Sequence, residues 1–255
     1  MLAEERKIKI LELIREDGSA KVSNLSKIFE VSEPTIRQDL EKLEQEGHVI
    51  REHGGAILKN VAQHVQNLML EHEQENRDQK MRIGQKAAEF IVDGDSLILD
   101  SGSTTTAIAN QLSSKSNLTI VTNALNIALM LGANYSFEIL MTGGEFKAPT
   151  LSLTGEKASV FFQQIHVNKL FLATAGISFQ AGLSYPGLSD IHVKKAMLAC
   201  ADTVYLVADS TKIGKNAFAA IGCLDQIDYF ITDAGITSDA QAAFEKIGIT
   251  VIIAD

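Results

Sequence analysis

From about residue 83 to the end of the chain, short apolar runs typical of buried strands alternate with segments of helical periodicity. The strand-like runs include SLILD, LTIVT, KLFLATAG, TVYLVAD and TVIIAD, with helix-like stretches such as TTTAIANQL and VKKAMLACA between such runs. Strands that are apolar along their whole length are typical of parallel sheets, whose faces are both covered by helices. We therefore predict an α/β domain with a mainly parallel sheet over residues 81–255.

The first 58 residues carry a different pattern, in which apolar side chains recur at helical spacing. Helices are predicted over residues 4–16 and 19–29 and from Ser32 onward. Ser32 is a favourable N-cap, Pro34 suits an early helical position, and Gly47 ends the third helix. Two short strands of a hairpin are predicted at residues 48–51 and 55–58. Three helices and a hairpin predict an N-terminal winged helix-turn-helix domain of α+β type over residues 1–58.

Residues 59–80 are polar and rich in glutamine and glutamate, which predicts a linker between the two domains. No apolar run reaches the roughly 18 residues that a membrane span needs, so we expect a cytoplasmic protein with no membrane partner. Cys200 and Cys223 lack the spacing of a zinc site or of a disulfide framework. We therefore expect neither a metal nor a cofactor.

The balance of charges limits how this chain can bind nucleic acid. A formal net charge of −9 argues against a protein that coats DNA by bulk electrostatics. Within residues 1–58, nine Lys and Arg side chains stand against twelve Asp and Glu side chains. Any DNA-reading surface must therefore come from local clustering of basic and polar residues.

The stretch SEPTIRQDL, residues 32–40, is the strongest functional signal. A helix that begins at Ser32 and enters the major groove presents the side chains near its start to base edges. The candidates for base contacts are Glu33, Thr35, Arg37 and Gln38. The candidates for phosphate contacts are Ser23, Ser32, Thr35 and Lys42, and those for the DNA backbone or minor groove are Arg51 and His53. Taken alone, the same residues also fit the solvated surface of an ordinary small helical domain.

This stretch, preceded by Arg6, Ile10 and Ile14, closely resembles the helix-turn-helix pattern of the DeoR family of transcriptional regulators. Gln38 departs from the pattern, since relatives usually carry Lys or Arg there. The resemblance continues through DSGSTT, TN, TGG, AG before GL, and DSTK, in the order of the family's sensor domain. It implies a repressor of sugar-metabolism genes that binds double-stranded operator DNA, with a sensor similar in fold to ribose-phosphate isomerases.

The second signal is LILDSGSTTTAIANQL, in which a strand ends at Asp100 and a helix follows. Amide groups at the helix start and the hydroxyls of this loop suit a phosphate group, and Gly102 lets the backbone approach it closely. The candidates are Asp100, Ser101, Gly102, Ser103, Thr104 and Thr105. Residues of these types also cap helices in ordinary αβ junctions, and Asp100 fits two roles equally: binding sugar hydroxyls or orienting its own loop.

Further effector-binding candidates lie where other strands end or nearby in the same domain, because open α/β sheets bind ligands at the carboxyl ends of their strands. They are Thr122, Asn123, Gly143, Gly144, Gly176, Lys194 and Lys212. Either lysine suits a phosphate or a carboxylate partner, and the family resemblance favours Lys212.

Two functions of different class are weighed. A sugar-phosphate isomerase needs a base above the substrate carbon, and Asp190 is the one reasonable candidate on its segment. A DNA-binding module has no purpose in such an enzyme, so we predict a regulator without catalytic residues, controlled by a phosphorylated sugar or related small molecule. One winged helix reads few base pairs, and we expect a homo-oligomer, a dimer or tetramer.

Overall fold

The computed structural model describes residues 2–52, 54–59, 74–222 and 224–255, the side chains of Glu16 and Pro149 excepted. Its residues divide into two compact units: an N-terminal unit within residues 1–71, to which 147–149 are grouped, and a C-terminal unit within 72–146 and 150–255. His53, a predicted DNA contact, and Cys223 lie outside the described residues.

The N-terminal unit combines helices with a three-stranded antiparallel sheet. The helices are α1 (Ala3–Asp17), α2 (Val22–Phe29) and α3 (Glu33–Gln45), and the strands are β1 (Ser19–Lys21), β2 (Val49–Glu52) and β3 (Gly55–Leu58). Ile10, Ile14, Leu25, Ile36 and Leu40 are buried at its centre. The predicted winged helix-turn-helix is confirmed.

One prediction for this unit is wrong in detail, because Ser19–Lys21 forms a strand and not the first turn of the second helix. β1 pairs with β3, with Ala20 opposite Ala56. Gly55 permits this pairing, since a Cβ atom at that position would lie 2.3 Å from the carbonyl oxygen of Ala20. The predicted hairpin is thereby extended to a third strand.

The C-terminal unit alternates strands with helices, as predicted. Its helices are α4 (Arg77–Ala88), α5 (Ser103–Ala109), α6 (Leu125–Leu131), α7 (Glu156–Phe162), α8 (Ile191–Ala199) and α9 (Ser238–Lys246). Its strands are β4 (Ser96–Leu99), β5 (Leu118–Thr122), β6 (Phe137–Met141), β7 (Glu145–Lys147), β8 (Ser152–Thr154), β9 (Val167–Ala173), β10 (Gly176–Ser178), β11 (Gly182–Tyr185), β12 (Ala201–Val207), β13 (Ala219–Ala220), β14 (Tyr229–Asp233) and β15 (Thr250–Ala254).

Seven of these strands form a parallel sheet in the order β15-β14-β12-β9-β4-β5-β6. The chain builds outward from β4 to β6 and then crosses back to place β9 against the other side of β4. The strand order therefore reverses between β4 and β9, and such a reversal opens a crevice at the carboxyl ends of the strands. We call this end of the sheet, with the residues that directly follow β4, β5, β6, β9 and β12, the carboxyl edge.

Helices cover both faces of the sheet. Leu97 and Leu99 of β4 belong to the apolar cluster beneath α4, α5 and α6, whereas Ile98 belongs to the cluster beneath α7, α8 and α9. On the first face α4 and α5 are in close contact, since a Cβ atom on Gly84 would lie 2.6 Å from the carbonyl carbon of Ala107. The predicted α/β architecture is confirmed.

Helix α4 begins at Arg77, inside the segment 59–80 that was predicted to be a linker. Asn76, the residue before this helix, contacts the loop after β12, since its Nδ2 donates to Asp209 Oδ1 at 3.1 Å. Residues 60–73 lie outside the described residues. Among the described residues, no helix is long and apolar enough to cross a membrane.

Candidate DNA-binding and effector-binding sites

Helix α3 begins as the sequence predicts, with Ser32 as its N-cap. The Ser32 hydroxyl accepts a hydrogen bond from the amide of Thr35 at 3.4 Å and lies 2.9 Å from the Thr35 hydroxyl. Glu33 and Pro34 occupy the first turn, where an acidic side chain and a proline are both favourable. The cap fixes where the helix starts and therefore which side chains its first two turns present.

The candidate base-contacting side chains lie together on the solvent side of α3. Glu33, Arg37 and Gln38 are exposed and Thr35 is half-buried, whereas Ile36, Leu40 and Leu43 of the same helix are buried. Arg37 Nη2 donates to Glu33 Oε2 at 2.9 Å. An exposed pair of this kind is weak, so Arg37 can exchange Glu33 for a base edge at little cost. Ser23, Ser32, Lys42 and Arg51 are also exposed.

A buried ion pair holds α3 against α1. Arg6 donates through Nε to Asp39 Oδ2 at 2.6 Å and through Nη2 to Asp39 Oδ1 at 3.3 Å. The two side chains are 10% and 5% exposed. Arg6 and Asp39 are thus the structural members of the helix-turn-helix sequence pattern, while Arg37 faces outward.

The loop after β4 is organised by the carboxylate of Asp100, which is fully buried. Asp100 Oδ1 accepts a hydrogen bond from the amide of Ser101 at 2.7 Å, and Oδ2 accepts one from the amide of Ala173 at 3.1 Å. Asp100 therefore joins the ends of β4 and β9 at the point where the strand order reverses. Of its two predicted roles, the geometry supports the orientation of its own loop.

Lys194 of α8 neutralises Asp100. Its ammonium group donates to Asp100 Oδ1 and, at 3.3 Å, to the hydroxyl of Ser101, and the lysine is 2% exposed. Burial raises the pKa of Asp100, while Lys194 and the amides of Ser101 and Ala173 act in the opposite direction. Lys194 is thus an internal counter-ion that also fixes Ser101.

An aromatic ring closes this cluster from one side. The ring of Tyr185 lies 5.3 Å from Lys194 Nζ, and the Tyr185 hydroxyl donates to the carbonyl of Ala173 at 3.0 Å. Burial, with smaller effects from Asp100 and Asp190, raises the pKa of Tyr185 well above its usual range. Tyr185 is therefore a neutral hydrogen-bond donor, and no pattern in its own segment reveals that it belongs to the site.

Asn123, which follows β5, contacts Ser101 and carries a buried polar atom that lacks a hydrogen-bond partner among the described residues. It is fully buried, and its Nδ2 donates to the carbonyl of Leu153 at 3.1 Å and to the Ser101 hydroxyl at 3.5 Å. Its Oδ1 has no hydrogen-bond partner among the described residues. A buried acceptor without a donor costs about 1–3 kcal/mol, so this oxygen suits a hydroxyl of a bound molecule.

Three of the predicted effector-binding residues have structural roles within the domain, and their contact with an effector stays a prediction. Thr122 donates from Oγ1 to the carbonyl of Leu99 at 2.7 Å, accepts from the amide of Ala124 at 3.0 Å, and is fully buried. Thr105, also fully buried, donates to the carbonyl of Gly102 at 2.9 Å. Gly176 is buried, and it is required to be glycine because a Cβ atom there would lie 2.5 Å from the carbonyl oxygen of Lys215.

The remaining predicted residues of the loops after β4 and β6 differ in their exposure. Gly102 has φ 153° and a Cβ atom there would lie 3.1 Å from the Ala173 side chain, so glycine lets this loop pass the end of β9. Ser103 is half-buried and Thr104 is 7% exposed. Gly143 and Gly144, after β6, are exposed with φ of 66° and 116°.

A second polar cluster follows β12 and includes residues that the sequence reading assigned to the linker. Asp209 Oδ1 accepts from Asn76 Nδ2 at 3.1 Å and from the amide of Thr211 at 3.1 Å. Asp209 is 1% exposed, and its Oδ2 has no hydrogen-bond partner within the described part of the chain. Lys212 Nζ lies 3.8 Å from Glu75 Oε2. Of this cluster, the stretch DSTK, residues 209–212, was singled out from the sequence, whereas Glu75 and Asn76 were assigned to the linker.

Comparison with known proteins places both units in one family. Residues 6–61 match the family model of the DeoR-like helix-turn-helix domain, and residues 75–234 match that of the DeoR C terminal sensor domain. The HTH-type transcriptional regulator GlpR of Haloferax volcanii is 32% identical over 252 residues, which cover 99% of this chain and 98% of that protein. The glycerol-3-phosphate regulon repressor of Escherichia coli K12 is 33% identical over 225 residues, covering 88% of each chain.

Two further similarities complete the comparison. The putative aga operon transcriptional repressor of Escherichia coli O157:H7 is 32% identical over 250 residues, covering 98% of this chain and 93% of that protein. Ribose 5 phosphate isomerase A from Neisseria gonorrhoeae aligns in structure with a TM-score of 0.39 and 14% identity, over 52% of each chain, which is too weak to support an inference. On the two family models and the full-length relatives, the chain belongs to the DeoR family of transcriptional regulators and is not an enzyme.

Proposed function

We propose that this protein represses genes of sugar metabolism and that a phosphorylated sugar, or a related metabolite, controls its affinity for operator DNA. Relatives that cover most of the chain are named repressors of a glycerol-3-phosphate regulon and of an aga operon. These names support repression of genes for phosphorylated or sugar-derived substrates as the role of this chain too.

The observation that carries the effector proposal is the buried Oδ1 of Asn123, which lacks a hydrogen-bond partner among the described residues, in a side chain whose Nδ2 donates to the Ser101 hydroxyl. It sits at the carboxyl edge next to the reversal of strand order, where sheets of this type bind small molecules. A sugar supplies hydroxyl donors for such an acceptor. The hydroxyls of Ser103 and Thr104 offer donors to its phosphate group.

The charge state of the site favours an anionic over a neutral ligand. Asp100 is neutralised by Lys194, so this carboxylate does not repel an incoming phosphate as a free one would. Lys212, after β12, adds a cation whose present partner, Glu75, is 46% exposed and 3.8 Å away. Charge-assisted hydrogen bonds to a phosphate are stronger than this contact, so the ligand competes successfully for Lys212.

Operator binding by α3 is expected to require two copies of the chain. A single recognition helix contacts few base pairs, whereas a two-fold dimer reads two half-sites about 34–36 Å apart. The effector then acts by favouring or disfavouring the DNA-competent state, and the resulting change in operator affinity is typically about 1–3 kcal/mol.

The test is an operator gel shift combined with thermal melting of the full-length protein. Sugar phosphates are compared with the matching free sugars, and a ligand at about 100 times its Kd should add ~2.7 kcal/mol of stability. The variant Ser103→Ala/Thr104→Ala should lose the response and keep basal DNA binding. The control Ser113→Ala/Ser114→Ala, at exposed positions after α5, should respond like the wild type. Equal responses to free sugars and their phosphates would contradict the proposal.

A further inference from the structure

Asp209, two residues after the end of β12, has a carboxylate whose two oxygens are used unequally. Oδ1 accepts three hydrogen bonds, from Asn76 Nδ2 at 3.1 Å, from the amide of Thr211 at 3.1 Å and from the Thr211 hydroxyl. Oδ2 is buried in a residue that is 1% exposed, and it accepts none from the described residues. A buried carboxylate oxygen without a donor is unfavourable, so its presence calls for a physical reason.

Asp233 shows how a carboxylate with a purely structural role is arranged at the same edge of the sheet. It ends β14, the strand paired with β12, and is 6% exposed. Its Oδ1 accepts from the amide of Ser210 at 2.7 Å, and its Oδ2 accepts from the amide of Gly235 at 2.9 Å and from the Ser210 hydroxyl at 3.1 Å. Both oxygens of Asp100 are likewise satisfied. Of these three buried carboxylates, Asp209 alone keeps an oxygen without a donor among the described residues.

The local fold of this loop does not need the second oxygen of Asp209. Asp209 is the N-cap of the short turn Ser210–Lys212, where its side chain accepts from the amide of Thr211, and Oδ1 makes this bond. Asparagine and serine cap such turns as well, and neither buries an ionised oxygen. Since Oδ2 adds nothing to the cap, its burial without a donor is the kind of local inconsistency that proteins retain at binding sites.

The position of Asp209 in the sheet puts it within reach of the proposed effector site. β12 pairs with β9, with Val207 opposite Ala173, and the amide of Ala173 donates to Asp100 Oδ2. Neighbouring strands lie about 4.8 Å apart, so the axes of β4 and β12 are roughly 10 Å apart at the carboxyl edge. Thr211, which contacts Asp209, is exposed, so the carboxylate lies just beneath the surface. A molecule bound by the loop after β4 can therefore extend to Asp209.

We propose that Asp209 Oδ2 accepts a hydrogen bond from a hydroxyl of the effector and thereby selects ligands that carry a free alcohol besides their phosphate group. The inference rests on the proposed function and specifies its ligand class, a phosphate monoester of a sugar or polyol. A carboxylate offers acceptors only, so it takes a hydroxyl and repels a second anionic group at that position. The site therefore discriminates against bisphosphates and phosphorylated acids whose second anionic group would face Asp209.

The experiment compares Asp209→Asn with the wild type, both full length, by calorimetry and thermal shift at constant ionic strength. The probes are ribose 5-phosphate, glucose 6-phosphate, glycerol 3-phosphate and methyl phosphate, the last of which has no alcohol. For each of the first three that binds the wild type, Asp209→Asn should weaken binding by roughly tenfold to hundredfold, the size expected for loss of a hydrogen bond to a charged group. Binding of methyl phosphate should not change. The control Asp202→Asn, the same substitution at the exposed start of β12, should bind every probe like the wild type.

The melting temperature without added ligand separates ligand recognition from a structural role. Asparagine keeps the oxygen that caps the turn, so Asp209→Asn should melt close to the wild-type temperature. Asp233→Asn, which disturbs a carboxylate with both oxygens in use, should melt lower. Equal weakening of methyl phosphate and the polyol phosphates by Asp209→Asn, or no weakening of either, would overturn the inference while leaving the proposed function intact.

Deoxy analogues give a test that does not depend on any variant. In the wild type, removal of the one hydroxyl that Asp209 accepts should weaken binding by a similar factor, because a site that hydrogen-bonds a hydroxyl rejects the analogue that lacks it. A bound sugar phosphate from which every hydroxyl can be removed singly without such a loss would contradict the inference. A wild-type protein that binds no sugar phosphate would instead remove the proposed function, and this inference with it.

Discussion

Arg6 Nε lies 2.6 Å from Asp39 Oδ2, so a buried two-point ion pair joins the first helix of the DNA-binding unit to its recognition helix. Thirty-three residues separate the two partners in the chain. The orientation of α3, and with it the direction in which Arg37 points, therefore depends on a contact formed on the opposite side of that helix.

Removing one partner of this ion pair should destabilise the N-terminal unit far more than replacing both partners with apolar residues. Asp39→Ala leaves a buried guanidinium without its partner and should lower the stability of the N-terminal unit by about 3–5 kcal/mol. The double variant Arg6→Met/Asp39→Leu should recover most of that loss, because no buried charge remains. Scanning calorimetry gives both values. The exposed pair Glu5 and Lys9 is the control, and Glu5→Ala should cost less than ~1 kcal/mol. A double variant no more stable than Asp39→Ala would contradict this account.

Arg37 is expected to supply sequence recognition. Arg37→Ala should weaken binding to the cognate operator by about 1–3 kcal/mol while the effector response persists, because a bidentate contact to guanine is lost. Arg15→Ala, at the exposed end of α1, is the matched control and should leave specific affinity within experimental error. Titrations on operator DNA and on scrambled DNA separate a loss of sequence recognition from a loss of general DNA affinity. Equal loss on both DNAs would make Arg37 a phosphate contact.

The close contact between α4 and α5 should reverse the usual effect on stability of replacing a helix glycine with alanine. Alanine is normally favoured over glycine inside a helix by about 1 kcal/mol, but at Gly84 its Cβ would lie 2.6 Å from the carbonyl carbon of Ala107. Overpacking of this kind costs about 1–3 kcal/mol, so Gly84→Ala should give a net loss of up to about 2 kcal/mol instead of the usual gain. Gln85→Ala, at the next and exposed position, should be neutral or slightly stabilising. Thermal unfolding that shows a gain for Gly84→Ala would refute the contact.

The thiol of Cys200 should resist alkylation in the folded protein. Burial raises its pKa from 9.0 to about 11, so at pH 8 the reactive thiolate is about a hundredfold scarcer than in the unfolded chain. The native rate should increase about tenfold per pH unit between pH 8 and 10. Peptide mapping after iodoacetamide treatment follows Cys200 separately from Cys223. Native labelling as fast as labelling in urea would show that the thiol is accessible and its pKa ordinary.

The domain limits can be tested with two fragments. Residues 74–255 retain Asn76, which donates to Asp209 at 3.1 Å and to the Thr211 hydroxyl at 3.3 Å. A fragment that starts at residue 81 lacks these bonds, each worth about 0.5–1.5 kcal/mol, as well as Lys80. We expect both fragments to fold and to lose DNA binding, with the shorter one melting lower. Circular dichroism and gel shifts suffice, and an unfolded longer fragment would show that the two units depend on each other.

The helices and strands were largely predictable because each leaves a local pattern in the sequence. The contacts within the candidate effector site join residues far apart in the chain, and no local pattern records them. The apolar runs at β4, β5, β9 and β12 imply strands, and their ends imply a carboxyl edge. The contact of Lys194 with Asp100 spans 94 positions, and nothing near either residue identifies the other. Strand β1 was missed because three residues are too few to show alternation. Asn76 and Lys80 were assigned to a linker because polar residues were equated with solvent exposure.

The placement of the proposed effector-binding residues has a consequence for how such a protein can change its ligand. Each of Ser101, Asn123, Gly143 and Asp209 lies at or just beyond the end of a strand, and the pairing of those strands is made by the strands themselves. Natural selection can therefore change the loop residues, and so the metabolite that is recognised, without disturbing the interior that folds the protein. The same fold can therefore come to recognise a different metabolite through a few substitutions in the loops at the carboxyl edge.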